Sequence, residues 1–156
     1  MRWKMINNVP VCFGARDDTY GTFNIRERGL IYTFKLVHKN GSVSCNTYTI
    51  PPSHWGCDRS TYGNEKLLTV ITYPNKTALP LADYLRDERG CGKIYYSYEI
   101  AGIGVNSTEL VFNNLSTPLA VSNGQEFQIW NGQDLTDCSE NNNGGQTCVD
   151  VYALYC

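Results

Sequence analysis

The residues best suited to chemistry fall in one stretch, Trp130-Asn-Gly-Gln-Asp-Leu-Thr-Asp-Cys-Ser-Glu-Asn-Asn-Asn-Gly-Gly145. Asp134, Asp137, Glu140 and Asn141 stand close together there, with glycines that permit tight turns. Carboxylate and amide oxygens on a folded loop are hard ligands and suit Ca²⁺. The loop is not an EF-hand. Starting that template at Asp137 puts Asn142 where glycine is required and Cys148 where a bidentate glutamate should stand. A calcium loop of another type is one reading; a polar turn pinned by a Cys138–Cys148 bridge is the other. The same stretch has the chemistry to hold a sugar. The Trp130 ring can stack on an apolar C–H face while Asn131, Gln133 and Asp134 take hydroxyls. Trp55 and Tyr48, near Pro51 and Pro52, offer a similar platform. The alternative for Trp130 is a core position at a strand end.

No catalytic constellation stands out. The histidines are His38 and His54, and no G-x-S-x-G, P-loop or dinucleotide fingerprint occurs. Without a C-x-x-C pair, zinc spacing is absent. Cys57 near His54 is a conceivable thiol and base. Asp17-Asp18 and Asp87-Glu88 are carboxylate pairs of the kind a glycosidase uses, although proximity in sequence does not place two carboxyls in one cleft. The expectation is a non-enzyme. With a net charge of -2 and dispersed lysines, there is no footprint for nucleic acid.

Seven cysteines point to disulfides and an oxidising compartment. Spacing suggests Cys45–Cys57 around the proline-containing loop and Cys138–Cys148 around the asparagine-rich loop, which leaves Cys12–Cys91 as the expected long-range bridge. Cys156 is then the odd cysteine, placed at the end where it can reach another chain. N-x-[ST] occurs at Asn40, Asn75, Asn106 and Asn114, each at an expected turn or loop, so N-glycosylation is expected at these asparagines. Together these features predict a secreted, extracellular glycoprotein. No apolar run is long enough for a transmembrane helix. Met1 to Pro10 lacks an apolar signal region, so a mature or excised chain is expected.

The elements that must position these residues read as strands. Along Leu30 to His38, Leu30, Tyr32, Phe34 and Leu36 share one face, while Thr33, Lys35 and Lys39 share the other. Asn40-Gly41 then signals a hairpin into Ser42 to Tyr48. Further strands are expected at Phe23 to Ile25, Lys66 to Tyr73, Lys93 to Ile100, Glu109 to Asn113, Leu119 to Ser122, Gln125 to Trp130 (after an Asn123-Gly124 turn) and Thr147 to Tyr155. Leu79 to Asp87 is expected to form a short helix. The whole chain, 1–156, reads as one all-β domain: a jelly-roll-like antiparallel β-sandwich with one short helix and disulfides.

Several runs, among them Gly21-Thr-Phe-Asn-Ile-Arg26, Tyr32-Thr-Phe-Lys-Leu-Val-His38, Val43-Ser-Cys-Asn46, Trp55-Gly-Cys57, Leu110-Val-Phe-Asn113 and Gly145-Gln-Thr-Cys-Val-Asp-Val-Tyr152, resemble an uncharacterised family of secreted cysteine-containing domains in predicted coral and sea-anemone proteins. The resemblance spans nearly the whole chain. It implies secretion and an animal host and assigns no activity. Two functional expectations follow. One is a binding or adhesion module, lectin-like, that takes glycans or other extracellular proteins, with Ca²⁺ as a candidate cofactor. The other is a structural extracellular component that forms homo-oligomers through strand edges and Cys156.

Overall fold

Two long neighbouring strands organise the molecule. The computed structural model describes residues 1–57, 66–79, 86–89, 94–138 and 140–156, with backbone alone at 86–89 and 94–95. In chain order the strands are β1 (Arg2–Met5), β2 (Val11–Gly14), β3 (Gly21–Asn24), β4 (Gly29–Ser44), β5 (Gly56–Cys57), β6 (Lys66–Leu67), β7 (Thr69–Thr72), β8 (Ala78–Leu79), β9 (Arg86–Arg89), β10 (Ile94–Ser97), β11 (Glu109–Val111), β12 (Leu119–Val121), β13 (Glu126–Asn131) and β14 (Gly144–Tyr155). One helical turn, α1 (Gly132–Leu135), separates the last two. Antiparallel β14 and β4 run side by side. β1 and β2 flank β14, and β11 and β12 flank β4, which completes a six-stranded sheet. The second sheet has the order β3-β13-β7-β8. Small pairs, β5 with β6 and β9 with β10, complete the paired strands among the described residues.

The chain is an all-β sandwich whose core lies between these sheets. Ile31, Phe34, Leu36, Val149, Val151 and Ala153 face inward from the first sheet, and Phe23, Ile71, Phe127 and Ile129 from the second. Phe23 and Phe127 are directly opposed in register. Phe34 meets both edge-on, with ring centroids 5.4 and 5.3 Å away. Burying each such ring contributes roughly 1.5–3 kcal/mol to holding the two facing surfaces together.

Local rules explain where expectation and structure part. Strand β4 does not alternate as expected. Its register with β14 skips Tyr32 between Ile31 and Thr33, so Ile31 is buried and Leu30 is exposed. A bulge reverses the faces on either side of it. Asn40-Gly41 is not a hairpin turn, because β4 runs straight through it. Gly41 has φ +78°, and the β14 register skips Lys39 beside it. A Cβ at Gly41 would run into Gln146 O, so glycine serves the close approach of β14 as well as the positive φ. Asn123-Gly124 does turn the chain, with Gln125 N–H donating to Ser122 O at 3.1 Å. The turn carries it from one sheet to the other, because β12 pairs with β4 and β13 pairs with β3 and β7.

The helix expected over Leu79 to Asp87 is not there at either end: Leu79 closes β8, and Arg86 and Asp87 begin β9. Residues 80–85 lie outside the described residues. The helical turn follows β13 instead. Disulfide pairing also differs. Cys45 and Cys57 are joined. Cys12 bonds Cys148 rather than Cys91, because β2 lies beside β14 with those two cysteines directly opposite, Cα atoms 4.0 Å apart. The proposed Cys138–Cys148 bridge is thereby excluded. Cys138 is disulfide-bonded, and Cys91 lies outside the described residues. Cys156 is free and exposed.

Candidate functional site

The acidic loop is built on the end of β13. Asn131, the last strand residue, is extended (φ -76°, ψ 134°), and its side-chain oxygen accepts from Gln133 N at 2.9 Å and Asp134 N at 3.4 Å. An asparagine in this position caps the first turn of a helix. The cap aims Asp134 back into the protein, where it is fully buried. Its two carboxylate oxygens accept the backbone N–H groups of Asp18 at 2.9 Å and Thr19 at 3.1 Å. Asn143, also buried, fixes the same junction by donating to Ala15 O at 2.9 Å and Gln133 Oε1 at 3.0 Å.

Three aspartates hold left-handed backbone around this junction: Asp17 (φ 62°), Asp18 (φ 56°) and Asp137 (φ 52°). Such conformations are uncommon outside glycine and cost energy that the surrounding contacts must supply. Here the supply is visible. Asp134 holds the Asp18 and Thr19 N–H groups, Glu140 Oε2 accepts from Asp17 N at 3.2 Å, and Asp137 N donates to Asp134 O at 3.2 Å. The outcome is a convergence of charge. Asp18, Asp134 and Asp137 each present a carboxylate oxygen, and the three oxygens lie within 4.8 Å of one another.

Like charges at this spacing repel by roughly 3–4 kcal/mol per pair at the effective dielectric typical of protein surfaces. Arg16 does not neutralise them. Its guanidinium lies 3.5 Å from Asp17 and donates to Asn141 O at 3.3 Å. Among the described residues no ion pair reaches Asp18, Asp134, Asp137 or Glu140. Glu140 records the strain. Burial, then the hydrogen bond and negative charge of Asp134, then a hydrogen bond with Asp137, raise its pKa to about 8, with the Asp17 N–H pulling the other way. Glu140 is therefore held mostly protonated at neutral pH.

The structure thus brings Asp134, Asp137 and Glu140 together. Asn141 is exposed beside them, its carbonyl taken by Arg16. Asp18 completes the group, and its sequence pairing with Asp17 suggested only a glycosidase dyad. The direct sugar contacts read from the sequence do not fit. Trp130 is 1% exposed, stacks on Tyr20 with centroids 4.6 Å apart, and donates Nε1–H to Gln128 at 2.9 Å. Trp55 is fully buried and donates to Ser107 O at 2.7 Å. Asn131 and Gln133 are buried and occupied by the cap and by Asn143. Asn131 and Gln133 instead hold the acidic turn in place through these bonds. Tyr48 is exposed, and the N–H of its neighbour Thr47 donates to Asn142 O at 2.9 Å in the same asparagine-rich loop. Cys57 is spent in its disulfide, so it is no nucleophile for His54. The His54 ring instead stacks on His38 with centroids 3.5 Å apart. Among the described residues no helix is long and apolar enough to cross a membrane.

The fold and rim define the class as a disulfide-bonded all-β sandwich with an acidic loop cluster. No protein-family model matches the chain, and no curated protein matches it. Among solved structures it is similar to AJLec from the sea anemone Anthopleura japonica, with a TM-score of 0.83 and 27% sequence identity over 99% of this chain and 98% of that one. The sequence resemblance to sea-anemone domains thus has a counterpart of the same fold from a sea anemone.

Proposed function

We propose that the chain is an extracellular, lectin-like binding module whose acidic cluster holds Ca²⁺ and, through it, a sugar. The observation that carries this reading is the convergence of Asp18, Asp134 and Asp137 within 4.8 Å, with Glu140 alongside. Calcium takes six to eight oxygen ligands, and this set would leave coordination positions open. Neighbouring sugar hydroxyls are hard, neutral oxygens suited to fill them. The likeness to AJLec, whose name marks it as a lectin, supports the same reading. The disulfides support an oxidising, extracellular setting. Asn40, Asn75, Asn106 and Asn114 are all exposed, as glycosylation requires. The test is a thermal-shift titration with Ca²⁺. Saturating Ca²⁺ at a hundredfold excess over Kd stabilises by about 2.7 kcal/mol, on the order of 5–10 °C for a chain of this size. Absence of any shift, with Mg²⁺ and Mn²⁺ as controls, would remove the metal from the reading.

A second reading is favoured by one observation, the exposed free thiol of Cys156. Two copies joined there would form a covalent pair, the basis of a structural role. A monomer on non-reducing gels and in light scattering of the oxidised protein would rule it out.

A further inference from the structure

An open groove of about 390 Å³ lies between the edge strands β2 and β3, lined by residues 7–12 and 20–24. Its wall follows from the two-residue period of a strand. Gly21 and Phe23 are buried, so Tyr20, Thr22 and Asn24 all point outward in a row. Gly21 lets the two edges meet, since a Cβ there would stand 2.7 Å from Cys12 O. The Cys12–Cys148 bond ties the opposite wall to β14.

The groove's polar atoms are largely unspent. Among the described residues, neither Tyr20 Oη nor Thr22 Oγ1 has a hydrogen-bond partner. Asn24 donates Nδ2 to Gly124 O at 3.1 Å, which leaves its Oδ1 available. Asn8 accepts from Arg26 through Oδ1, which leaves its Nδ2. Asn7, by contrast, is consumed: it donates to Asp150 and Val9 and accepts from Val151. Tyr20 is 41% exposed, with Trp130 stacked on its ring. Two hydroxyls, an amide acceptor, an amide donor and a partly open aromatic ring match a neutral, polyhydroxylated chain. Tyr20 also directly follows Thr19, whose N–H is held by Asp134, so the chain that lines the groove leads straight out of the acidic cluster.

We propose that this groove is an extended glycan subsite, which takes the second and later sugars of an oligosaccharide whose terminal sugar sits at the acidic cluster; this rests on the lectin-like reading above. A peptide adding to the open edge of β3 would instead use backbone groups and leave the unspent side-chain atoms unused.

The test uses Tyr20→Phe/Thr22→Val, which removes both hydroxyls and keeps ring and shape at exposed positions. The probes are the oligosaccharides of two to five sugars that wild type selects on a glycan array, and the methyl glycoside of their terminal sugar. With two net hydrogen bonds lost, the oligosaccharide Kd should rise on the order of tenfold while the methyl glycoside Kd changes less than about twofold. Equal losses for both probes, or none for either, overturn the subsite. So does oligosaccharide binding by wild type no tighter than that of the methyl glycoside, although the lectin-like reading then survives. Folded wild type that selects no glycan on the array sinks both. Shifts of the Gly21–Asn24 backbone amides with an extended peptide, and not with oligosaccharide, would make the groove a peptide site and overturn the proposal.

Discussion

Asp134 and Asp18 lie 116 residues apart in sequence, yet the Asp18 N–H donates to Asp134 Oδ1 at 2.9 Å. This bond, with its companion from Thr19, joins the loop after β2 to the helical turn after β13. Asp134 therefore positions Asp18 and also contributes charge to the cluster. Asp134→Ala leaves two N–H groups without their acceptor and should cost about 2–4 kcal/mol in urea unfolding. Asp134→Asn keeps an acceptor oxygen and relieves Glu140, so it should cost less while abolishing the Ca²⁺-dependent thermal shift. A full Ca²⁺ shift in the asparagine variant would show that the buried charge is not needed.

The pH dependence follows from Glu140. Its folded pKa, about 8, is above the ordinary 4.5. The folded protein therefore binds more protons than the unfolded chain between those values, and in chelator its stability should fall as pH rises from about 4.5 to about 8. Protons and Ca²⁺ compete for the same oxygens, so Ca²⁺ affinity should rise over the same window. Thermal unfolding at pH 5.5, 7 and 8.5, with Ca²⁺ or EDTA, checks both slopes. Glu140→Gln should flatten the slope in EDTA.

Trp130 and Trp55 act through packing. Trp130→Ala should destabilise by about 3–5 kcal/mol, the range for emptying a large aromatic site, and any loss of binding should track loss of fold. Circular dichroism and binding measured on one sample separate the two. A fully folded Trp130→Ala protein that no longer binds would restore this ring to direct contact.

The disulfides should differ in weight. By chain-entropy reasoning, the 136-residue separation of Cys12–Cys148 is worth about 5 kcal/mol and the 12-residue separation of Cys45–Cys57 about 3 kcal/mol. Paired serine variants compared by denaturant unfolding should rank in that order. The reverse ranking would mean that native-state contacts around Cys45 and Cys57 outweigh loop entropy.

Much of the fold could be read from alternation. Val149, Val151 and Ala153 are all buried, as their period predicts. What escaped was set by partners distant in sequence. Bulges at Tyr32 and Lys39 depend on how β4 pairs with β14, and no local pattern signals them. β1 and β2, at four residues each, are too short to show a period. Missing β2 hid the Cys12–Cys148 pair. The same limit applies to the site. Asp134, Asp137 and Glu140 are close in sequence and were legible as a group. Asp18 joins them only because the edge strands bring its loop to α1. The tryptophans fit a sugar platform by composition, but whether a ring faces solvent depends on what covers it.

The most direct test of the central claim is a glycan array probed with purified wild-type protein and with the Asp18→Asn/Asp137→Asn variant, each in Ca²⁺ and in EDTA. The account predicts a defined set of glycans bound by wild type in Ca²⁺, lost in EDTA, and absent for the variant, with all samples folded by circular dichroism. A flat array for folded wild type, or binding that survives both EDTA and the double substitution, would contradict it.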